Sequence, residues 1–86
     1  MKIMRNVLLY TDEDGIWIAE VPSLPGCNSN GKTREEALER VKEAIEVYIE
    51  ALEQDNLPVP EEYPSIQLAT VEANPESTNL TQVIKD

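Results

Sequence analysis

Few side chains in this sequence are able to do covalent chemistry. There is no histidine and a single cysteine, Cys27. Without histidine, neither a Ser-His nor a Cys-His nucleophile forms, and no histidine-bearing metal site is possible. A reactive thiol wants a cationic neighbour. Only Lys32 and Arg34 lie close in sequence, so Cys27 reads as a small core or loop residue. Asp12, Glu13 and Asp14 cluster before Gly15, yet they lack the Asp-x-Asp-x-Asp-Gly spacing of a calcium hand. A two-metal nuclease needs inward-facing carboxylates, one typically from the middle of its first strand, and residues 2–10 carry no acid. The expectation is a binding protein: no enzyme, no cofactor, no metal.

What remains is charge. Seven Lys+Arg face seventeen Asp+Glu among 86 residues, a net charge of -10. After Lys42 the next base is Lys85, and nine acids lie between them. Nucleic-acid binding requires cations that replace counterions, so direct contact with a phosphate backbone is not expected. A basic protein partner is the complementary one, because opposite fields speed encounter and fix orientation. Acidity that serves only solubility is an equal reading of this stretch. Glu39, Glu43, Glu46, Glu50 and Glu53 are the candidate docking acids. A solvated helix face is the bland alternative. Trp17 is a core aromatic or, since Trp is enriched in binding hot spots, an interface anchor.

These residues need elements to position them. Residues 2–10 predict a strand with both faces partly apolar. Asp14-Gly15 signals a hairpin turn, because Gly takes positive φ without a steric penalty. Residues 16–21 predict the second strand, with Trp17, Ala19 and Val21 on one face. Pro22-Ser23-Leu24-Pro25-Gly26 stops the ladder, since proline has no N–H. Residues 27–30 predict a short polar edge strand, and Gly31 lets the chain turn. Thr33-Arg34-Glu35-Glu36 fits a capping box, with Glu36 reaching back to the cap. Leu38, Val41, Ile45, Tyr48 and Leu52, flanked by Ala37, Ala44 and Ala51, continue a helix to about Gln54. Its last turns carry acids where the helix dipole prefers cations. Leu57-Pro58-Val59-Pro60 ends the helix, and residues 66–72 predict a fourth strand. The fold class is therefore α+β: a two-layer β-β-β-α-β unit, a three-stranded antiparallel meander plus a fourth strand, with one long helix on one face. Residues 1–72 form the core domain. Residues 73–86 form a polar tail, in which Leu80, Val83 and Ile84 would dock as a short helix.

Length and cysteine usage set the remaining bounds. One domain of 86 residues buries a small fraction of its surface, so self-association is expected. One cysteine allows no internal disulfide. No apolar run approaches about 18 residues and no export signal is evident. The reading is a cytoplasmic protein with no membrane contact.

In combination these motifs resemble the HicB-like antitoxin family. The resemblance is carried by Asp14-Gly15-Ile16-Trp17, Val21-Pro22-Ser23-Leu24-Pro25-Gly26-Cys27, the Ser29, Gly31 and Thr33 positions, Glu35-Glu36-Ala37-Leu38, Lys42-Glu43-Ala44-Ile45 with Tyr48, and Leu57-Pro58-Val59-Pro60. It covers about residues 3–72, and the order and spacing are more specific than any single piece. The resemblance implies a partial ribonuclease-H-like fold without nuclease activity. It implies a small basic HicA-like toxin that cleaves mRNA, neutralised by covering its active site, and it implies a homodimer or higher homo-oligomer. Many members carry a further DNA-binding module. Only fourteen residues follow Glu72, so DNA binding is not expected of this chain alone. A second class of function stays open: a stand-alone homo-oligomeric scaffold or regulatory module with no toxin partner.

Overall fold

The computed structural model describes residues 3–75. Three strands, β1 (Leu8–Thr11), β2 (Trp17–Glu20) and β3 (Asn28–Gly31), precede one helix, α1 (Arg34–Gln54). The sheet order is β1-β2-β3, and both pairings are antiparallel. The helix lies over β3 and β2. This is the α+β arrangement expected from the sequence.

The hairpin closes through Asp12. Its backbone N–H donates to the Ile16 carbonyl at 2.9 Å, and its carboxylate accepts from the N–H groups of Asp14 and Ile16, both at 2.9 Å. Gly15 sits at φ +79, the left-handed conformation that favours glycine. Asp14 is exposed beside it. The loop after β2 is drawn tight by three backbone bonds: Val21 N–H to Cys27 O, Leu24 N–H to Val21 O, and Cys27 N–H to Leu24 O. That coil swings Leu24 into the centre of the domain, where it is fully buried. Pro22 is half-buried, Pro25 is exposed, and Gly26 takes φ +81.

The helix start follows the capping logic with one change of partner. Thr33 Oγ1 accepts from the Glu36 N–H at 3.0 Å. The Glu36 carboxylate accepts from the Lys32 N–H at 2.6 Å, one residue before the cap expected. Its other oxygen pairs with Arg40 at 3.5 Å. At the far end no basic residue occupies the last turn. Asn56, at φ 57, ends the helix. The Leu57 N–H reaches back to Leu52 O at 2.9 Å and Asn56 N–H to Glu53 O at 3.1 Å. These are the two bonds of a Schellman stop, with Asn in the position usually held by Gly.

The core is Ala19, Val21, Leu24, Cys27, Ala37, Val41 and Ile49, with Val7, Leu9, Trp17, Ala44, Ile45, Tyr48 and Val59 packed around it. Gly31 is buried where β3 meets the helix start. A Cβ there would lie 2.6 Å from Ala37 N, so glycine is what lets β3 and α1 approach this closely.

Two expectations are corrected. The first strand is shorter at its start than residues 2–10. Residues 3–7 are extended but unpaired, because Pro22 and the loop turn the chain away where β2 would have continued. Arg5 instead donates to Ser23 Oγ at 3.1 Å, and Asn6 Nδ2 donates to Glu62 at 3.0 Å. The fourth strand over residues 66–72 does not form. That segment joins no ladder among the described residues. β-propensity reports a fit to a pleated, half-buried surface, and here the segment stays exposed, with Leu68 and Val71 turned to solvent. The proposed docking of Leu80, Val83 and Ile84 lies outside the described residues.

Candidate functional site

The side chains expected to do chemistry are placed for structure. Cys27 is 5% exposed, and burial pushes its thiol pKa up, which leaves little nucleophilic thiolate. Asp12 is occupied by the two turn amides. Among the described residues no group of three or more Cys, Asp or Glu side chains is arranged to hold a metal ion. No helix among them is long and apolar enough to cross a membrane. Tyr48 donates to the Pro25 carbonyl at 2.9 Å and ties the helix to the tight loop. Tyr10 is exposed and donates to Glu20 at 2.6 Å. That bond, with desolvation and the carboxylate charge, raises the phenol pKa.

The surface left for recognition is a groove between the extended residues 3–7 and the side of α1. Its volume is about 410 Å³. Apolar side chains line it: Ile3, Met4 and Val7 from the leading segment, and Leu38, Val41, Ile45 and Ile49 from the helix. Ile3 and Met4 are 52% and 80% exposed. Glu46, Glu50 and Glu53 stand along the helix side, with Lys42 nearer its start and Arg5 opposite. Arg5 is already engaged with Ser23. The ion pair found among the described residues, Arg40–Glu36, lies elsewhere. The three carboxylates therefore border an open apolar floor with no salt bridge of their own.

The expected acids do not all share this groove. Glu46, Glu50 and Glu53 line it. Glu43 lines a second cleft with Cys27, Asn28, Ser29, Arg40 and Val47. Glu39 is exposed and lines neither. Trp17 is half-buried in β2 and packs against the core.

Two features lay outside the sequence expectation. Ile49 is 4% exposed and closes the groove floor; its signal was the spacing Val41, Ile45, Ile49, one helical turn at each step. The other is the cluster of Arg5, Asn6, Ser23 and Glu62, which fastens the leading segment. Burial raises the Glu62 pKa. The bonds from Asn6, Ser23 and Tyr63 and the Arg5 charge outweigh that and hold the carboxyl below its ordinary value. No local pattern announces such a cluster, because Asn6 and Glu62 lie 56 positions apart.

Comparison with known proteins places this geometry in context. The family model described as HicB_like antitoxin of bacterial toxin-antitoxin system matches residues 6–86. A UPF0150 protein of Thermoplasma acidophilum is 49% identical over 55 residues, covering 64% of this chain and 80% of that protein. A UPF0150 protein of Helicobacter pylori is 52% identical over 55 residues, covering 64% of this chain and 75% of that protein. Among solved structures, the N-terminal domain of Burkholderia pseudomallei antitoxin HicB superposes with a TM-score of 0.55 at 28% identity. That match covers 85% of this chain and 84% of that one.

Proposed function

The chain belongs to the HicB-like antitoxin family, and we propose that it neutralises a small, basic, mRNA-cleaving toxin of the HicA-like class by seating that toxin's cationic surface on the groove and covering its active site. The protein acts as a stoichiometric inhibitor in the cytoplasm and performs no catalysis itself. The observation that carries this reading is the apolar groove bordered by Glu46, Glu50 and Glu53, three carboxylates that form no salt bridge among the described residues. Apolar floor gives affinity, and a border in which three carboxylates outnumber Lys42 and Arg5 favours a cationic partner. The net charge of -10 adds long-range attraction toward a cationic protein and opposes a phosphate backbone.

The test is co-expression with the candidate toxin, followed by binding measurements on purified proteins. Wild type is expected to rescue growth. The double reversal Glu46→Lys, Glu50→Lys is expected to weaken binding. An exposed ion pair contributes about 0.2–1 kcal/mol. Each reversal replaces an attraction by a comparable repulsion, so two cost about 1–4 kcal/mol, about fivefold or more in Kd. A folded double variant that binds with unchanged affinity at low salt removes the groove from the reading. Failure of the folded wild type to rescue removes the toxin.

The alternative, a stand-alone homo-oligomeric scaffold or regulatory module, draws on one observation: an apolar-bearing segment, residues 66–72, that joins no ladder among the described residues. The neighbouring reading frame separates the two readings, since an inhibitor is expected beside a short gene for a basic protein.

A further inference from the structure

The two edges of the sheet are not alike. Asp12 N–H bonds Ile16 O, and β1 pairs Leu8 with Glu20 and Tyr10 with Ile18. In an antiparallel ladder, alternate residues bond the same neighbour. Leu8, Tyr10 and Asp12 therefore turn their backbone groups toward β2, and Leu9 and Thr11 turn theirs outward. The same reasoning applies to β3. Val21 N–H bonds Cys27 O, so Ser29 and Gly31 face β2, and Asn28 and Asn30 face outward. The β3 edge is protected, because Arg40 Nη1 donates to the Asn30 carbonyl at 3.3 Å. The β1 edge, Leu8-Leu9-Tyr10-Thr11, carries no charged residue or proline of the kind that blunts an open edge, and no further strand pairs with it among the described residues.

The chain also carries a strand without a sheet. Residues 66–72, Ile-Gln-Leu-Ala-Thr-Val-Glu, lie in no helix and join no ladder among the described residues. Leu68 is 91% exposed and Val71 82%. Seven residues in a strand span about 23 Å, enough to follow all of β1. Within one chain, Glu62 is fastened to Asn6 at the start of β1, yet the segment beyond it leaves without joining the edge.

We propose that residues 66–72 of a second copy of this chain add to the sheet as a strand along the open β1 edge, pairing with the outward backbone groups of Leu9 and Thr11. Exchanged between two copies, the same pairing forms twice and covers both loose segments. The proposal rests on the edges of the sheet and is independent of the toxin reading.

The experiment uses the full chain. Its mass is measured by sedimentation equilibrium, and amide hydrogen exchange at Leu9 and Thr11 is followed by NMR across a dilution series. The expected result is a species of twice 9.7 kDa, with both amides protected at high concentration and exchanging freely on dilution. The variant Ala69→Pro removes an N–H from a segment with no ladder role in one copy. It should weaken association at least about fivefold, the equivalent of one ladder bond. Thr11→Pro removes the outward donor from the other side, at a position where an edge strand tolerates proline. Protection that is independent of concentration would mean that the chain's own segment folds back, and overturns the proposal. So does a monomer at all concentrations, or a dimer unaffected by both variants. A toxin that restores protection to an otherwise monomeric chain would assign the edge to the partner, and likewise overturns it.

Discussion

Replacing Gly31 by Ala tests whether the close approach of β3 and α1 holds the domain together. The glycine is buried, and its φ lies outside the left-handed region, so alanine meets no backbone strain there. The cost is purely steric. The new Cβ would lie 2.6 Å from Ala37 N and 2.9 Å from both Glu36 C and Glu36 Cβ, against an ordinary contact of 3.4 Å or more. Two of those three atoms are backbone, so rotamer changes cannot relieve the clash. The helix start must retreat by about 0.8 Å, taking the Thr33 cap and the Glu36 bond to Lys32 with it. Overpacking of this kind costs about 1–3 kcal/mol, and an immovable backbone puts this case at the upper end. For a domain of this size, about 3 kcal/mol lowers Tm by about 12–24 °C. Circular dichroism during heating measures it. Gly15→Ala is the comparison: it meets nothing within 4 Å, and only φ +79 opposes it, which costs about 1–2 kcal/mol. A Gly31→Ala protein that melts with wild type, or above Gly15→Ala, would refute the reasoning.

Two further outcomes follow from the core and from the cluster that anchors the leading segment. Leu24→Ala empties a fully buried position and should lose about 2–5 kcal/mol, read as a lower urea midpoint with an unchanged slope. A loss below 1 kcal/mol would mean that the tight loop collapses to fill the space. Glu62→Gln should make stability less dependent on acid. The folded carboxyl sits below its ordinary value of 4.5, so its contribution is fully present above that value and is lost as pH falls through the folded one. Wild type should be the more stable protein at pH 6, with the gap closing toward pH 3. A gap constant over that range would show that the carboxylate's charge contributes nothing.

Much of the fold was legible because its signals are local. The Gly15 turn, the Thr33 cap and the apolar helix face each declare themselves within a few residues, and β2 and β3 fall where alternation and glycine put them. Residues 66–72 were misleading as a fourth strand. A ladder is a relation between two segments, and sequence pattern describes one. The same limit hid the groove. Its two walls, residues 3–7 and the middle of α1, lie some 40 positions apart, and what holds the first wall in place is Glu62 beside Asn6. Ile49 was missed for a smaller reason: it lies one turn beyond Ile45, on a face already assigned to Tyr48 and Leu52.

The acidity that first suggested binding is divided by the structure into parts with different meanings. Glu43 lines a second cleft together with Arg40, and Glu39 stands in solvent. A charge excess kept only for solubility would scatter acids without regard to apolar surface. Instead Glu46, Glu50 and Glu53 border the open groove, where solubility alone gives no reason for that register. The groove and the β1 edge are adjacent, since residues 3–7 lead directly into β1, but the contacts proposed for them rest on different physics. Contacts at the carboxylate border weaken as salt screens them. A backbone ladder with Leu9 and Thr11 joins neutral groups and responds little to ionic strength. Salt therefore separates the two surfaces, so the affinity of one is measurable without disturbing the other.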